Sequence, residues 1–215
     1  MNNVNGISCY IISFIHAIRN LPTIKNMIQN LSHSDKFYNL FSVILNYKNV
    51  SDEHITLFYN LIINKFNFKK NTQEDATELF ISFMSSLEDD YKKITNVSNM
   101  IKNKYLDNFY FIPMLRAQGG SKYLFFFMDF GLLNEDGTYN DTIDEYMTFD
   151  GIKYKIIFVM MYQNLFMGYS GHYYIYENQQ KLLKYDDNVI TPIDNFNQIK
   201  QSIIRYSRMI ILKRN

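Results

Sequence analysis

Nucleophilic acyl transfer needs an activated nucleophile, a base, and a group that orients the base, and this 215-residue chain carries candidates for all three. Its single cysteine, Cys9, follows the turn-forming pair Asn5-Gly6 and opens a stretch in which Tyr10, Phe14, Ala17 and Ile18 recur at helical spacing. A thiol at a helix N-terminus feels the positive end of the macrodipole, which favours the nucleophilic thiolate. The alternative for an isolated cysteine is a small buried hydrophobe. Of the four histidines, His16, His33 and His54 fall in helical stretches without metal-ligand spacing, and packing or surface roles suit them. His172 is different. It lies in Gly168-Tyr169-Ser170-Gly171-His172-Tyr173-Tyr174-Ile175-Tyr176, where a glycine-containing loop runs into an aromatic strand. Such a boundary holds a side chain on a rigid sheet yet within reach of a cleft.

A hairpin turning at Asn178-Gln179 would bring Asp186 back beside His172. A carboxylate there fixes the imidazole tautomer and stabilises the imidazolium. The alternative is that Asp186-Asp187-Asn188 is a plain polar turn. A second acidic pair, Asp75 and Glu78, is spaced to share one helix face. The segment Thr72-x-x-Asp75 also reads as a capping box that starts that helix.

The elements that must position these groups change character along the chain. Up to about residue 107 the pattern is helical, with helices expected over 9–18, 21–31, 35–45, 54–63 and 72–93. The last is marked by the stripe Ala76, Leu79, Phe80, Phe83, Met84 and Leu87, and Thr72 is expected to cap it. Beyond residue 107, short apolar and aromatic runs alternate with the turn signals Gly119-Gly120, Asp136-Gly137 and Asp150-Gly151. Strands are expected over 122–130, 153–162, 172–178, 181–186 and 207–213. Helices followed by strands indicate an α+β domain with two lobes, and the boundary between lobes is a natural cleft.

Composition narrows the classes further. Hydrophobic residues make up 47% and charged residues 20%, the balance of a folded globular protein. A net charge of +1 gives no electrostatic footprint for nucleic acid. One cysteine forms no disulfide framework and no Cys-rich zinc site, and it suits a reducing compartment. No apolar run approaches the roughly 20 residues of a membrane helix, and no basic segment precedes the first apolar stretch as in a signal peptide. The expectation is a cytoplasmic or nucleocytoplasmic protein without membrane partner. Abundant Asn, Ile, Lys, Tyr and Phe with three Ala and no Trp fit an AT-rich genome, such as that of a large virus or a protist, which would place the protein in host cytosol if viral.

Three segments resemble the motifs of the ubiquitin-specific proteases. Gly6-Ile7-Ser8-Cys9-Tyr10-Ile11-Ile12-Ser13 keeps the glycine, cysteine, tyrosine and serine of the family's cysteine box. Gln73-Glu74-Asp75-Ala76-Thr77-Glu78-Leu79-Phe80 is similar to its Q-x-D-A-x-E-F-L box. Gly171-His172-Tyr173-Tyr174-Ile175-Tyr176 and Leu182-Leu183-Lys184-Tyr185-Asp186-Asp187 are similar to its histidine box and the F-D-D segment after it. The final strand, 206–212, resembles the family's closing strand. The motifs keep the family's order and span nearly the whole chain.

The resemblance implies a papain-like cysteine peptidase fold, a hand with a helical thumb (about 1–107) and a β-rich palm with trimmed fingers (about 108–215), forming one catalytic domain over 1–215. It implies a deubiquitinase without cofactor in which Cys9 attacks the carbonyl of the C-terminal glycine of ubiquitin, His172 is the base, and Asp186, with Asp187 beside it, orients His172. Ubiquitin or ubiquitin-conjugated proteins are the implied partners. Asp75, Glu78 and Gln73 would meet the arginine-containing tail of ubiquitin, and Gly168, Gly171 and Tyr173 its narrow end. The chain also departs from the family. Val4 stands where the oxyanion-stabilising Asn is expected, leaving Asn5 or Asn3 and the Cys9 backbone N–H as donors. The C-x-x-C pairs of the family's fingers have no counterpart, and the interval from Glu78 to His172 is short. Three alternatives follow: a papain-like protease for another ubiquitin-like modifier, one for a polyprotein, and a catalytically weak ubiquitin-binding pseudoenzyme.

Overall fold

The computed structural model of the chain describes residues 8–47, 50–70, 72, 74–95, 123–128, 143–166 and 170–215. The chain divides into two compact units, Met1–Lys102 and Asn103–Asn215.

The first unit is helical: α1 (Cys9–Arg19), α2 (Pro22–Leu31), α3 (Lys36–Asn46), α4 (Asp52–Phe66) and α5 (Ala76–Thr95). Local chemistry sets these boundaries. Pro22 sits at the first turn of α2, where its missing N–H costs nothing. Asp35 accepts from the backbone N–H of Phe37 to cap α3, and Ser51 accepts from that of His54 to cap α4. Asn67 ends α4 in the left-handed conformation with φ 57°. Helix α1 is buried from Cys9 to Ile18, so it is the central helix of its unit rather than an amphipathic outer one.

Around α1 the core is aromatic. Phe14 stacks on Phe41 with centroids 5.4 Å apart and meets Phe83 edge-on at 5.1 Å. Phe41 in turn lies 4.7 Å from Phe58, and Phe58 stacks on Phe37 at 5.3 Å. Four helices thus meet on one cluster of rings, each pair adding to the area it buries. At the edge of the cluster Lys65 of α4 reaches Asp90 of α5 at 3.1 Å and the capping Asp35 of α3 at 3.4 Å. The Tyr38 hydroxyl donates to the same Asp90 oxygen at 2.9 Å.

The second unit is an antiparallel sheet with one helix: β1 (Tyr123–Phe127), β2 (Tyr146–Phe149), β3 (Ile152–Phe166), β4 (Ser170–Asn178), β5 (Leu182–Asp186), β6 (Val189–Pro192), α6 (Asn197–Tyr206) and β7 (Ser207–Arg214). The strand order is β1-β7-β3-β4-β5-β6, with β2 paired to the start of β3. Asp150 (φ 49°) and Gly151 (φ 74°) form the two-residue turn of the β2–β3 hairpin, the geometry that Asp-Gly favours. Helix α6 covers one face of the sheet, where Ile199, Ile203 and Ile204 join Tyr154, Ile156, Val159, Met161, Tyr174 and Ile210 in one core. The other face is buried as well, at Phe158, Met160, Ile175 and Ile211 among others. Burial on both faces explains why β1 and β3 read as continuous apolar runs rather than alternating ones.

Of the described elements, β2, β6 and α6 lie outside the sequence expectation, and α5 begins four residues later than expected. Strands β2 and β6 have four residues each, and every residue of β6 is exposed, so neither carries a periodic apolar signal. The turn signals at Gly119-Gly120 and Asp136-Gly137 fall outside the described residues. No described helix is long and apolar enough to cross a membrane.

Candidate active site

The hairpin β4–β5 brings His172 to Asp186. Its ladder pairs Ile175 with Tyr185 and Tyr176 with Lys184, so His172, Tyr174 and Tyr176 of β4 share a face with Lys184 and Asp186 of β5. On that face His172 Nε2 lies 2.6 Å from Asp186 Oδ1. A carboxylate only accepts, so Nε2–H is the donor, and in the neutral ring Nδ1 is the basic nitrogen. Both side chains are half-buried, at 21% and 34% exposure. The His172 ring also lies nearly parallel to that of Tyr174, with centroids 6.4 Å apart.

The second oxygen of Asp186 is engaged too. Lys184 Nζ donates to Asp186 Oδ2 at 2.6 Å and lies 4.4 Å above the Tyr174 ring. Partial burial pushes the Asp186 carboxyl up, but the hydrogen bonds from Lys184 and then His172, with their charges, outweigh it and hold the group below its ordinary value. On the same face, burial pushes the Tyr174 and Tyr176 hydroxyls up, which keeps both neutral.

Asp187 opens the two-residue turn between β5 and β6, whose ladder closes at Asp186 and Val189. Its φ of 52° is the left-handed conformation that Asp tolerates better than most residues. Oδ1 of Asp187 is buried with no hydrogen-bond partner. One ring nitrogen or carboxylate oxygen from each of His172, Asp186 and Asp187 lies within 4.8 Å of the others. A second acid therefore stands beside the pair.

On the opposite face of β4, Gly171 has a structural reason to be glycine. A Cβ at this position would overlap the Tyr162 ring. That ring packs on Tyr173 at 4.7 Å and under the Arg208 guanidinium at 4.9 Å. Tyr173 is buried.

In the first unit, Cys9 is the first residue of α1 and 1% exposed. Ser8 precedes it as N-cap without a side-chain capping bond, and no acid lies in the first turn, so nothing in that turn opposes the positive end of the helix. Asp75 corrects the expected start of α5. Its Oδ1 accepts from the backbone N–H groups of Thr77 and Glu78 and from the Thr77 hydroxyl, so Asp75 caps the helix. Thr72 instead donates to the Lys69 carbonyl at 3.0 Å and to Glu74 at 2.8 Å. The reason is length: a cap must lie one residue before the first helical turn, and α5 starts at Ala76. Glu78 is exposed on the first turn of α5. Asn3, Val4, Asn5, Gln73 and Gly168 lie outside the described residues.

Two members of this environment escaped the sequence reading. Lys184 is two residues before Asp186, a spacing that puts both on one face of a strand, so strand periodicity alone would have found it. Tyr162 lies nine positions before Gly171, on the preceding strand, and only the β3–β4 register places it over Gly171.

No protein-family model matches the chain, and no curated protein matches it by sequence. Solved structures do. A chain of the SAGA DUB module with Ubp8 bound to monoubiquitin matches with TM-score 0.66 and 12% identity, covering 100% of this chain and 68% of that one. The same module bound to ubiquitin aldehyde matches with TM-score 0.64 and 12% identity over 100% and 69% of the two chains. An essential yeast splicing factor matches with TM-score 0.66 and 10% identity over 98% and 68%. The mixed arrangement of helices and antiparallel sheet is thus a ubiquitin-specific-protease-like fold.

Proposed function

We propose that the protein is a deubiquitinating cysteine protease that hydrolyses the isopeptide or peptide bond after the C-terminal glycine of ubiquitin. The observation that carries this reading is the 2.6 Å hydrogen bond from His172 to Asp186, set on adjacent strands of a fold found in ubiquitin-bound DUB modules. The fold alone does not assign chemistry. A base oriented by an acid, with a cysteine at a helix N-terminus in the same chain, adds the chemical argument.

In this mechanism the Cys9 thiol gives its proton to His172 Nδ1, and its sulfur bonds to the glycine carbonyl carbon. Asp186 stabilises the resulting imidazolium through Nε2–H. The tetrahedral intermediate collapses as the amine leaves with the proton from His172, giving a thioester. Water then loses a proton to His172 and attacks the thioester, and Cys9 departs as thiol with the glycine carboxylate released. The oxyanion is held by the Cys9 backbone N–H and by Asn5 or Asn3, because Val4 has no side-chain donor. Asp187 supports the charge on His172. Asp75, Glu78 and Gln73 bind the basic tail of ubiquitin, and Gly171 borders its narrow end; Tyr173, buried against Tyr162, supports that strand rather than touching substrate. A free thiol nucleophile suits a reducing compartment such as the cytosol or nucleoplasm.

Val4, standing where the oxyanion-stabilising Asn is expected, favours a second reading, a ubiquitin-binding protein with weak catalysis. Ubiquitin carrying a C-terminal electrophile tests both. A single adduct by intact mass that disappears in C9A supports the protease. No adduct from folded protein overturns it, and retained ubiquitin binding would then support the second reading. An adduct with a different ubiquitin-like modifier, or cleavage of a polyprotein junction, would reassign the substrate.

A further inference from the structure

We propose that Lys184 is a positioning residue for the His172–Asp186 pair, holding the second carboxylate oxygen of Asp186 so that the carboxylate is fixed in orientation and its negative charge is divided between two cations. The proposal rests on the reading of His172 as the base. Its ground is geometric: His172 Nε2 and Lys184 Nζ each lie 2.6 Å from Asp186, on different oxygens. A carboxylate bridged in this way cannot rotate without breaking one of two charge-assisted bonds. The Lys184 stem is itself anchored, because its ammonium lies 4.4 Å above the Tyr174 ring.

The groups that face Asp186 are few. On β5 there is Lys184, and on β4 His172, Tyr174 and Tyr176. Asp187 comes from the adjoining turn, and Tyr206, at the end of α6, faces Tyr174. Gln163, opposite His172 on β3, carries no charge. The tyrosines are neutral, so Lys184 is the cation that competes with His172 for Asp186 among these groups.

The consequence is a trade between two properties. An acid bound only to His172 would stabilise the imidazolium fully and leave the ring protonated over a wider pH range, where it cannot take the Cys9 proton. Sharing the carboxylate with Lys184 weakens that stabilisation while keeping the ring oriented. The neutral base is then available at lower pH.

The test is the ring titration of His172 by nuclear magnetic resonance in the wild type, K184M and K184R, with His16, His33 and His54 as internal controls of the fold. K184M is expected to raise the His172 midpoint by about 0.5 to 1 unit and to leave the other three in place. K184R is expected to restore it. In turnover of a fluorogenic ubiquitin substrate, the acid limb of kcat/KM should move up in K184M by the same amount, so that the value at pH 6 relative to pH 8 drops about three- to tenfold. Should K184M not fold, K184Q removes the charge with a smaller change in polarity and carries the same expectation. An unchanged His172 midpoint in either folded variant overturns the proposal. The titration needs no substrate, so it stands apart from the ubiquitin assay: lack of turnover would count against the protease reading and not against the role of Lys184.

Discussion

Nε2 of His172 and Oδ1 of Asp186 meet at 2.6 Å across two neighbouring strands whose connecting loop is only three residues, 179–181. A short hairpin leaves little freedom for this distance to vary, so the acid acts on the base through a rigid element. Removing the carboxylate in D186A should therefore lower kcat/KM for ubiquitin cleavage about 10²- to 10³-fold, within the range of acid–base contributions. Circular dichroism would establish that the variant is folded. Activity within threefold of wild type would remove Asp186 from the mechanism.

The same carboxyl gives a pH signature in stability. Its value in the folded protein is below the ordinary one because Lys184 and His172 outweigh the effect of burial. Stability from such a group is present above its unfolded value, near about 3.9, and is lost as pH falls through the lower folded value. Urea unfolding of the wild type and D186N should show a difference at about pH 5 that shrinks as pH drops below about 4. A difference that grows on acidification would contradict the ion pairs at Asp186.

Gly171 is expected to reject even the smallest side chain. In G171A the new methyl group must displace the Tyr162 ring, which Tyr173 and Arg208 hold in place. The expected loss is about 1 to 3 kcal/mol, the usual cost of overpacking. A double variant with Y162A should recover part of that loss, giving a coupling energy in a double-mutant cycle. Additive effects would place the cost elsewhere.

Asp75 combines two roles that one pair of variants separates. D75N keeps an acceptor for the N–H groups of Thr77 and Glu78, whereas D75A loses it and should destabilise the protein by about 1 kcal/mol. If the charge of Asp75 also binds the ubiquitin tail, D75N should raise KM with little change in kcat or melting temperature. A KM unchanged in D75N would confine Asp75 to capping.

Phe41 tests the first unit's core. Its ring is completely buried and touches Phe14, Phe37, Phe58 and Phe83. F41A should cost about 3 to 5 kcal/mol by chemical denaturation. A loss below about 1 kcal/mol would mean that the aromatic cluster collapses to fill the cavity.

The sequence by itself determined the features that rest on short-range physics. The helical run of the first unit, the Asp150-Gly151 turn, and the return of Asp186 to His172 around the 178–182 hairpin all follow from local periodicity and turn chemistry. Strand alternation then puts His172 and Asp186 on one face. The tertiary structure decided what depends on neighbours distant in the chain. Strands β2 and β6 are too short to carry a pattern, and they exist because β3 and β5 offer open edges. Helix α6 has a modest apolar side, Ile199, Ile203 and Ile204, that becomes a signal only when a sheet face is there to receive it. Thr72 is the cap that the sequence predicts, and the first turn of α5, starting at Ala76, selected Asp75 instead. The resemblance gives Gly171 only a place beside the narrow end of ubiquitin, whereas the β3–β4 register supplies the Tyr162 ring that requires a glycine there. The sharing of Asp186 between His172 and Lys184 likewise needs two strands in register, since one carboxylate cannot show in sequence which of its oxygens meets which cation.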